Sequence, residues 1–221
     1  MRRFSGAFVL LLLAGGPLLG AAACISGNTL ASYEALGATG CNVGPLTVRD
    51  FLFSVVSSGG GATPVSDTNI TVTTDIAGST FGLIFASPGF SVSGSEFVNY
   101  LIAFTWDPSG DIRSASDILD PGLTDILTDL CVGVAFSGTS CAGTPQTLHV
   151  FEGVTNQLTD TVSFAPVAIV GVRNNISLQA NGASASFNSI ENTVALPEPA
   201  YSVWLAGGLM MLAARRRGRL R

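Results

Sequence analysis

Four cysteines, one histidine and a run of aspartates are the side chains of this sequence with the plainest chemistry. Cys24 with Cys41 and Cys131 with Cys141 form two local pairs. Neither pair has CxxC spacing, and the lone His149 adds no supporting ligand, so two disulfides are favoured over a zinc site. Closing loops of this size stabilises a fold by about 2 to 3 kcal/mol each on chain-entropy grounds. His149 stands between Leu148 and Val150 in an apparent strand, where a side chain paired across a sheet is the ordinary expectation. No serine occupies a GxSxG elbow, and no cysteine is left over as a nucleophile. Asp107, Asp111, Asp117, Asp120, Asp125 and Asp129 lie close together in the chain. Hard oxygen donors gathered from loops suit Ca²⁺, with Asp107 and Asp111 as the candidate ligands, but the DxDxDG order and closing Glu of an EF-hand are missing. Asp107, Asp111, Asp120 and Asp160 flank turns, so their placement follows turn preference rather than the needs of a glycosidase carboxylate pair. The expectation is a protein without catalytic residues, resident metal or cofactor.

The elements that carry these residues are strands. Ile70, Val72 and Ile76 alternate with Thr71, Thr73 and Asp75; Phe81, Leu83 and Phe85 form a second set; Tyr100, Ile102, Phe104 and Trp106 form the strongest. Further strands are expected over 46–56, 112–118, 131–137, 147–152, 160–164, 167–172, 176–180 and 185–190. Between them lie turn sequences such as Ser87-Pro88-Gly89, Asp107-Pro108-Ser109-Gly110, Asp120-Pro121-Gly122 and Asn181-Gly182. The most helix-like pieces are 32–36 and 123–129. Many short strands joined by such turns predict an all-β domain over 24–195, an antiparallel sandwich of jelly-roll or immunoglobulin-like type.

Charge narrows the partners. The chain has no Lys, and between its two ends only Arg49, Arg113 and Arg173 are basic, against every Asp and Glu except Glu198. So acidic a domain repels phosphate backbones and anionic lipid, which argues against nucleic acid as a partner.

Both ends carry addresses. Arg2 and Arg3, an apolar run from Phe8, and the small residues Ala21, Ala22 and Ala23 have the order of a signal peptide over 1–23. Cleavage after Ala23 by signal peptidase, following passage through the Sec translocon, leaves Cys24 first; the alternative is a lipoprotein acylated on that cysteine. At the other end, Pro197, Glu198 and Pro199 interrupt any regular element, and an apolar helix over 200–214 precedes Arg215, Arg216, Arg217, Arg219 and Arg221. Fifteen residues of helix reach about 22 Å, short of the roughly 30 Å hydrocarbon core. The arginines of the 215–221 tail belong on the cytoplasmic side, so the domain lies outside the inner membrane.

This order of Pro-Glu-Pro, short apolar helix with Gly207 and Gly208, and terminal arginine cluster resembles the PEP-CTERM sorting signal of Gram-negative bacteria, here over 196–221. The resemblance implies recognition by an exosortase, cleavage near Pro197–Pro199, an inner-membrane intermediate, and delivery to the cell surface in association with exopolysaccharide. Tyr201 stands where such signals often hold a small hydroxyl residue, and Ser202 follows it. The run Cys24, Leu30, Tyr33, Leu36, Gly37, Gly40, Cys41, Gly44 resembles a recurring type of PEP-CTERM protein and implies no activity. The expected role is structural or adhesive. The alternative is a secreted carbohydrate-binding module whose sheet face or loops offer Trp106, Tyr100 or Phe90 as stacking platforms.

Overall fold

The period-two patterning becomes strand over most of the chain. The computed structural model describes residues 21–108, 111–120 and 123–197. The elements are β1 (Asn28–Thr29), a single helical turn α1 (Leu30–Glu34), β2 (Cys41–Val43), β3 (Leu46–Gly59), β4 (Thr71–Ala77), β5 (Thr80–Ala86), β6 (Ser91–Ser93), β7 (Phe97–Pro108), β8 (Ile112–Leu119), β9 (Thr124–Val132), β10 (Thr144–Glu152), β11 (Thr159–Val167), β12 (Val170–Gln179), β13 (Ser184–Ser186) and β14 (Ser189–Ala195). Two six-stranded antiparallel sheets form a sandwich: a front sheet in the order β10-β9-β12-β7-β3-β2 and a back sheet in the order β1-β4-β5-β14-β8-β11. β6 and β13 pair as a small ribbon.

Two sequence expectations are corrected here. Residues 124–129 of the helix-like stretch 123–129 are the first part of β9, and of the expected strand 131–137 only Cys131 and Val132 are strand, because Gly133 turns the chain at φ 98°. The piece at 32–36 does overlap a helical turn, α1, whose N-terminus is capped by Thr29 Oγ1 accepting from the Ser32 N–H at 3.3 Å.

The inward face of β7 supplies the largest core side chains. Tyr100, Ile102, Phe104 and Trp106 all point between the sheets and are 0–2 % exposed. Phe104 packs on Phe51, Phe85 and Trp106 at ring separations of 5.6, 5.5 and 5.8 Å, which links both sheets through aromatic contacts. Phe90 stacks on Phe187 at 4.4 Å and meets Tyr100 edge-on.

The two open edges of the sandwich are closed differently. On one side the Cys24–Cys41 disulfide joins the segment leading to β1 of the back sheet to β2 of the front sheet, beside a parallel bridge between Ala23 and Asn42. On the other side β10 and β11 approach, and the His149 N–H donates to Asp160 Oδ2 at 2.8 Å. Among the described residues no helix is long and apolar enough to cross a membrane. Residues 1–20 of the expected signal peptide, Glu198 and Pro199 of the sorting motif, the 200–214 span and the arginines at 215, 216, 217, 219 and 221 lie outside the described residues.

One buried feature departs from an apolar core. Asp117 (β8), Asn192 (β14), Asn174 (β12) and Thr128 (β9) meet between the sheets. Asn192 Nδ2 donates to Asp117 Oδ1 at 2.6 Å and to Asn174 Oδ1 at 3.0 Å, Asn174 Nδ2 donates back to Asn192 Oδ1 at 2.7 Å, and Thr128 Oγ1 donates to Asn174 Oδ1 at 2.6 Å. Asp117 Oδ2 has no hydrogen-bond partner.

Candidate functional site on the outer face of the front sheet

Strand register decides which side chains share the solvent face. Phe151, Asp125, Ser177, Asn99 and Ser57 lie side by side across β10, β9, β12, β7 and β3, and the next row is His149, Leu127, Asn175, Leu101 and Ser54. Adjacent strands lie about 4.8 Å apart, so either row spans roughly 19 Å.

Only part of this face is open. Beyond β9 the chain from Gly133 loops back over the sheet, held by the Cys131–Cys141 disulfide. Phe136 from this loop lies 4.8 Å over the Arg173 guanidinium, and Arg173 Nη1 donates to Thr139 O at 3.2 Å. The loop sits so close that a Cβ on Gly171 would meet Phe136 N at 2.9 Å. One end of the front sheet is therefore covered, and the two rows described above form the uncovered end.

Two depressions meet there. One, of about 490 Å³, is lined by Leu123, Asp125, Phe151, Glu152, Ser177 and Gln179 together with the β12–β13 turn. The other, of about 290 Å³, runs between Val56, Asn99, Asp125, Leu127, Asn175 and Ser177. They share Asp125 and Ser177 and together make one groove that crosses the strands.

The groove combines apolar surface with ordered polar groups. His149 and Phe151, two residues apart on β10 and so on one face, pack with ring centroids 4.7 Å apart at 38°. His149 Nε2 is hydrogen-bonded to Asp125 Oδ1 at 2.9 Å, which fixes the imidazole against the carboxylate. Asn99 Nδ2 donates to Ser57 Oγ at 2.8 Å, while Asn175 Nδ2 donates to Asp129 Oδ2 at 3.1 Å and to Leu127 O at 3.3 Å. With their NH₂ groups engaged, both amides keep carbonyl oxygens as acceptors.

The structure brings together few of the residues singled out in the sequence. Trp106, Tyr100 and Phe90 are corrected as stacking platforms: they are 0 %, 1 % and 1 % exposed, because the covered face of β7 is the one that carries its large aromatics. The Tyr100 hydroxyl is also engaged, accepting from the Val65 N–H at 3.0 Å. The aspartate run disperses. Asp107 accepts from Arg49 Nε at 3.1 Å, Asp111 is exposed, Asp117 is in the core, Asp129 pairs with Arg173 at 2.7 Å, and Asp125 faces the groove. Among the described residues no three His, Cys, Asp or Glu side chains group as a metal site.

All four cysteines are bonded in the two local pairs expected, Cys24–Cys41 and Cys131–Cys141. His149 pairs across the sheet as anticipated, with its partner on the neighbouring strand β9. Sequence reasoning missed Phe151, Asn175, Ser177, Asn99 and Gln179. For Phe151 the available signal was its even spacing from His149, and for Asn175, Ser177 and Gln179 their even spacing from one another along a strand, which puts each set on one face; Asn99, on β7, carried no such signal.

Burial acts on several ionisable groups, most of all on Asp117. Loss of water raises its carboxyl to about 6, opposed by the hydrogen bond from Asn192 and reinforced by the nearby negative charge of Asp160. The single Thr128 hydroxyl proton serves Asn174 Oδ1 in this structure and cannot also serve Asp117.

No family model matches the chain, and no curated protein matches it. Among solved structures, TmCBM61 in complex with beta-1,4-galactotriose is similar over 76 % of this chain and 98 % of that one, at 12 % identity and a TM-score of 0.32. The low affinity xylan binding module CBM86 from Roseburia intestinalis covers 70 % and 97 % at 11 % identity and 0.25. The enzymatically active domain of bacteriophage CBA120 tailspike protein 4 is similar over 68 % of this chain and 19 % of its own, at 13 % identity and 0.30. At such TM-scores the likeness assigns neither topology nor ligand to this chain.

Proposed function

We infer that this chain is an exported cell-surface or extracellular-matrix protein of Gram-negative bacteria, delivered by the Sec route and sorted through its C-terminal PEP-CTERM signal. Its role is structural or adhesive, in association with exopolysaccharide, and it does no catalysis. The observation that carries the reading is where the last strand ends. β14 ends at Ala195, the Leu196 N–H still donates to Ser79 O at 3.0 Å, and Pro197 follows at once. Sheet pairing thus ceases at the residue where the Pro-Glu-Pro motif begins, the place at which an exosortase would act.

The disulfides support the export half. Two bonded pairs belong to an oxidising compartment, and Cys24 is joined to Cys41. That bond occupies the sulfur a lipoprotein would carry as a thioether, so it supports cleavage by signal peptidase over acylation.

Mass spectrometry of the protein from hosts with and without an exosortase tests the reading. The expected result is loss of residues beyond the Pro-Glu-Pro motif only when the exosortase is present, with all four thiols oxidised and no lipid on Cys24. An unprocessed tail in both hosts overturns the sorting assignment.

The second reading, a carbohydrate-binding face, draws support from the outer groove of the front sheet. Hydroxyl, amide and carboxylate groups line it beside the packed His149 and Phe151 rings. On this reading exopolysaccharide is a direct partner of the domain.

A further inference from the structure

We propose that the groove crossing β10, β9, β12 and β7 binds a neutral polysaccharide chain, with Phe151 as the stacking surface and Asp125, Asn175, Asn99 and Ser177 as hydroxyl-binding groups. This rests on the carbohydrate reading above and gives it a site and a ligand class.

The chemistry of a pyranose fits what the groove offers. A sugar ring has apolar C–H faces and an equatorial rim of hydroxyls, each both donor and acceptor. Phe151 provides a partly exposed ring, held against His149 at 4.7 Å and so fixed before any ligand arrives. The His149 imidazole is itself held by Asp125 Oδ1, leaving the second oxygen of that carboxylate to accept from a ligand hydroxyl. Asn175 and Asn99 stand on the next two strands with their NH₂ groups already committed to the protein, so each presents a positioned acceptor. Leu127 and Val56, 43 % and 64 % exposed, supply further apolar floor between these polar groups.

Length and charge select within sugars. Roughly 14 Å across these four strands accommodates more than one ring of an extended chain rather than a single monosaccharide. Asp125 and Glu152 line the groove, and no arginine does. The nearest, Arg173, is committed to Asp129 at 2.7 Å and covered by Phe136 at 4.8 Å. Uronic-acid, sulfated and phosphorylated polymers would bring negative charge against these carboxylates, whereas a neutral glycan meets no such repulsion.

Affinity electrophoresis of the mature protein, exported and purified from its processing host, tests this in gels cast with galactan, xylan, galactomannan or dextran, and with polygalacturonate as the anionic comparison. The expected result is retardation by at least one neutral polymer and none by polygalacturonate. Phe151→Ala should weaken that retardation by about tenfold or more, and Asn175→Ala should also weaken it. Phe151→Leu keeps apolar bulk without the ring and separates lost stacking from lost folding, with unchanged thermal unfolding as the control. Retardation by no neutral polymer overturns the proposal, as does retardation that all three variants leave intact or binding of polygalacturonate alone. A protein that is correctly exported and cleaved yet binds no glycan refutes the groove while leaving the sorting reading standing. Capture of a protein instead of a glycan, dependent on Phe151, overturns the proposal.

Discussion

Replacing Asp117 by Asn asks whether the sandwich core holds a proton. Asp117 is 1 % exposed, its Oδ1 accepts from Asn192 at 2.6 Å, and its Oδ2 has no partner. The charged groups nearby are on β11 and β10: Asp160, the register partner of Asp117, adds negative charge, and it accepts from the backbone of His149. No cation faces the carboxyl among the described residues, since Arg49 pairs with Asp50 and Asp107, Arg173 pairs with Asp129, and Arg113 is exposed. When protonated, the carboxyl can donate to Thr128 Oγ1, whose own hydrogen goes to Asn174, and every member of the chain is then satisfied. Its folded value of about 6 lies above the ordinary 3.8, so the folded state holds the proton more tightly than the unfolded state. Stability from this group is therefore complete below about pH 4, is lost as pH rises towards about 6, and stays lost above it. The gap is about two pH units, or about 3 kcal/mol. An amide at 117 keeps the bond to Asn192 and cannot ionise. Urea unfolding of both proteins between pH 4 and pH 7.5, with disulfides intact, should give near-equal stability at pH 4 and about 3 kcal/mol in favour of Asp117→Asn at pH 7. Other carboxylates cancel in the difference. A difference that does not change with pH would mean that the core carboxylate is solvated or paired in solution, and the reasoning fails.

Two more changes test the frame around the groove. Replacing Cys131 and Cys141 together by Ala should lower stability by about 3 kcal/mol on chain-entropy grounds and release the loop that carries Phe136, seen as faster amide exchange at 133–141. Gly40→Ala should destabilise by several kcal/mol, beyond the roughly 1 kcal/mol of a bare positive-φ substitution: Gly40 has φ 62°, and a Cβ there would lie 2.1 Å from Val48 O. Thermal unfolding checks it, and a shift of under a degree or two would refute the clash.

How far the sequence reaches is clearest on three strands. β7 declares itself because Tyr100, Ile102, Phe104 and Trp106 alternate with smaller residues, and the sandwich class follows from such alternation joined by Gly, Pro and Asn turns. β9 hides: Leu123, Ile126, Leu127 and Leu130 have helical spacing, while its inward set includes the polar Thr124 and Thr128, which erases the alternation. Those threonines are inward because one serves Asn174 and the other donates to Ser177 O at 3.1 Å, contacts made only once distant strands meet. The stacking candidates failed for a related reason, since an aromatic in a half-buried strand gives no sign in sequence of which face is covered. The outer groove is assembled by register between β10, β9, β12 and β7, and register is a tertiary fact.

The chain leaves the domain from β14, which pairs with β5 over Ser189–Ala195 on one side and with β8 over 190–195 on the other. A pull on the tail beyond Leu196, from a membrane, a transpeptidase or a sugar matrix under flow, is thus applied along a strand flanked on both sides. Antiparallel neighbours resist such a force in shear, many bonds at once, where an edge strand would peel one bond at a time. Drag on a surface-held protein is met by the middle of a sheet, and mechanical unfolding should begin elsewhere.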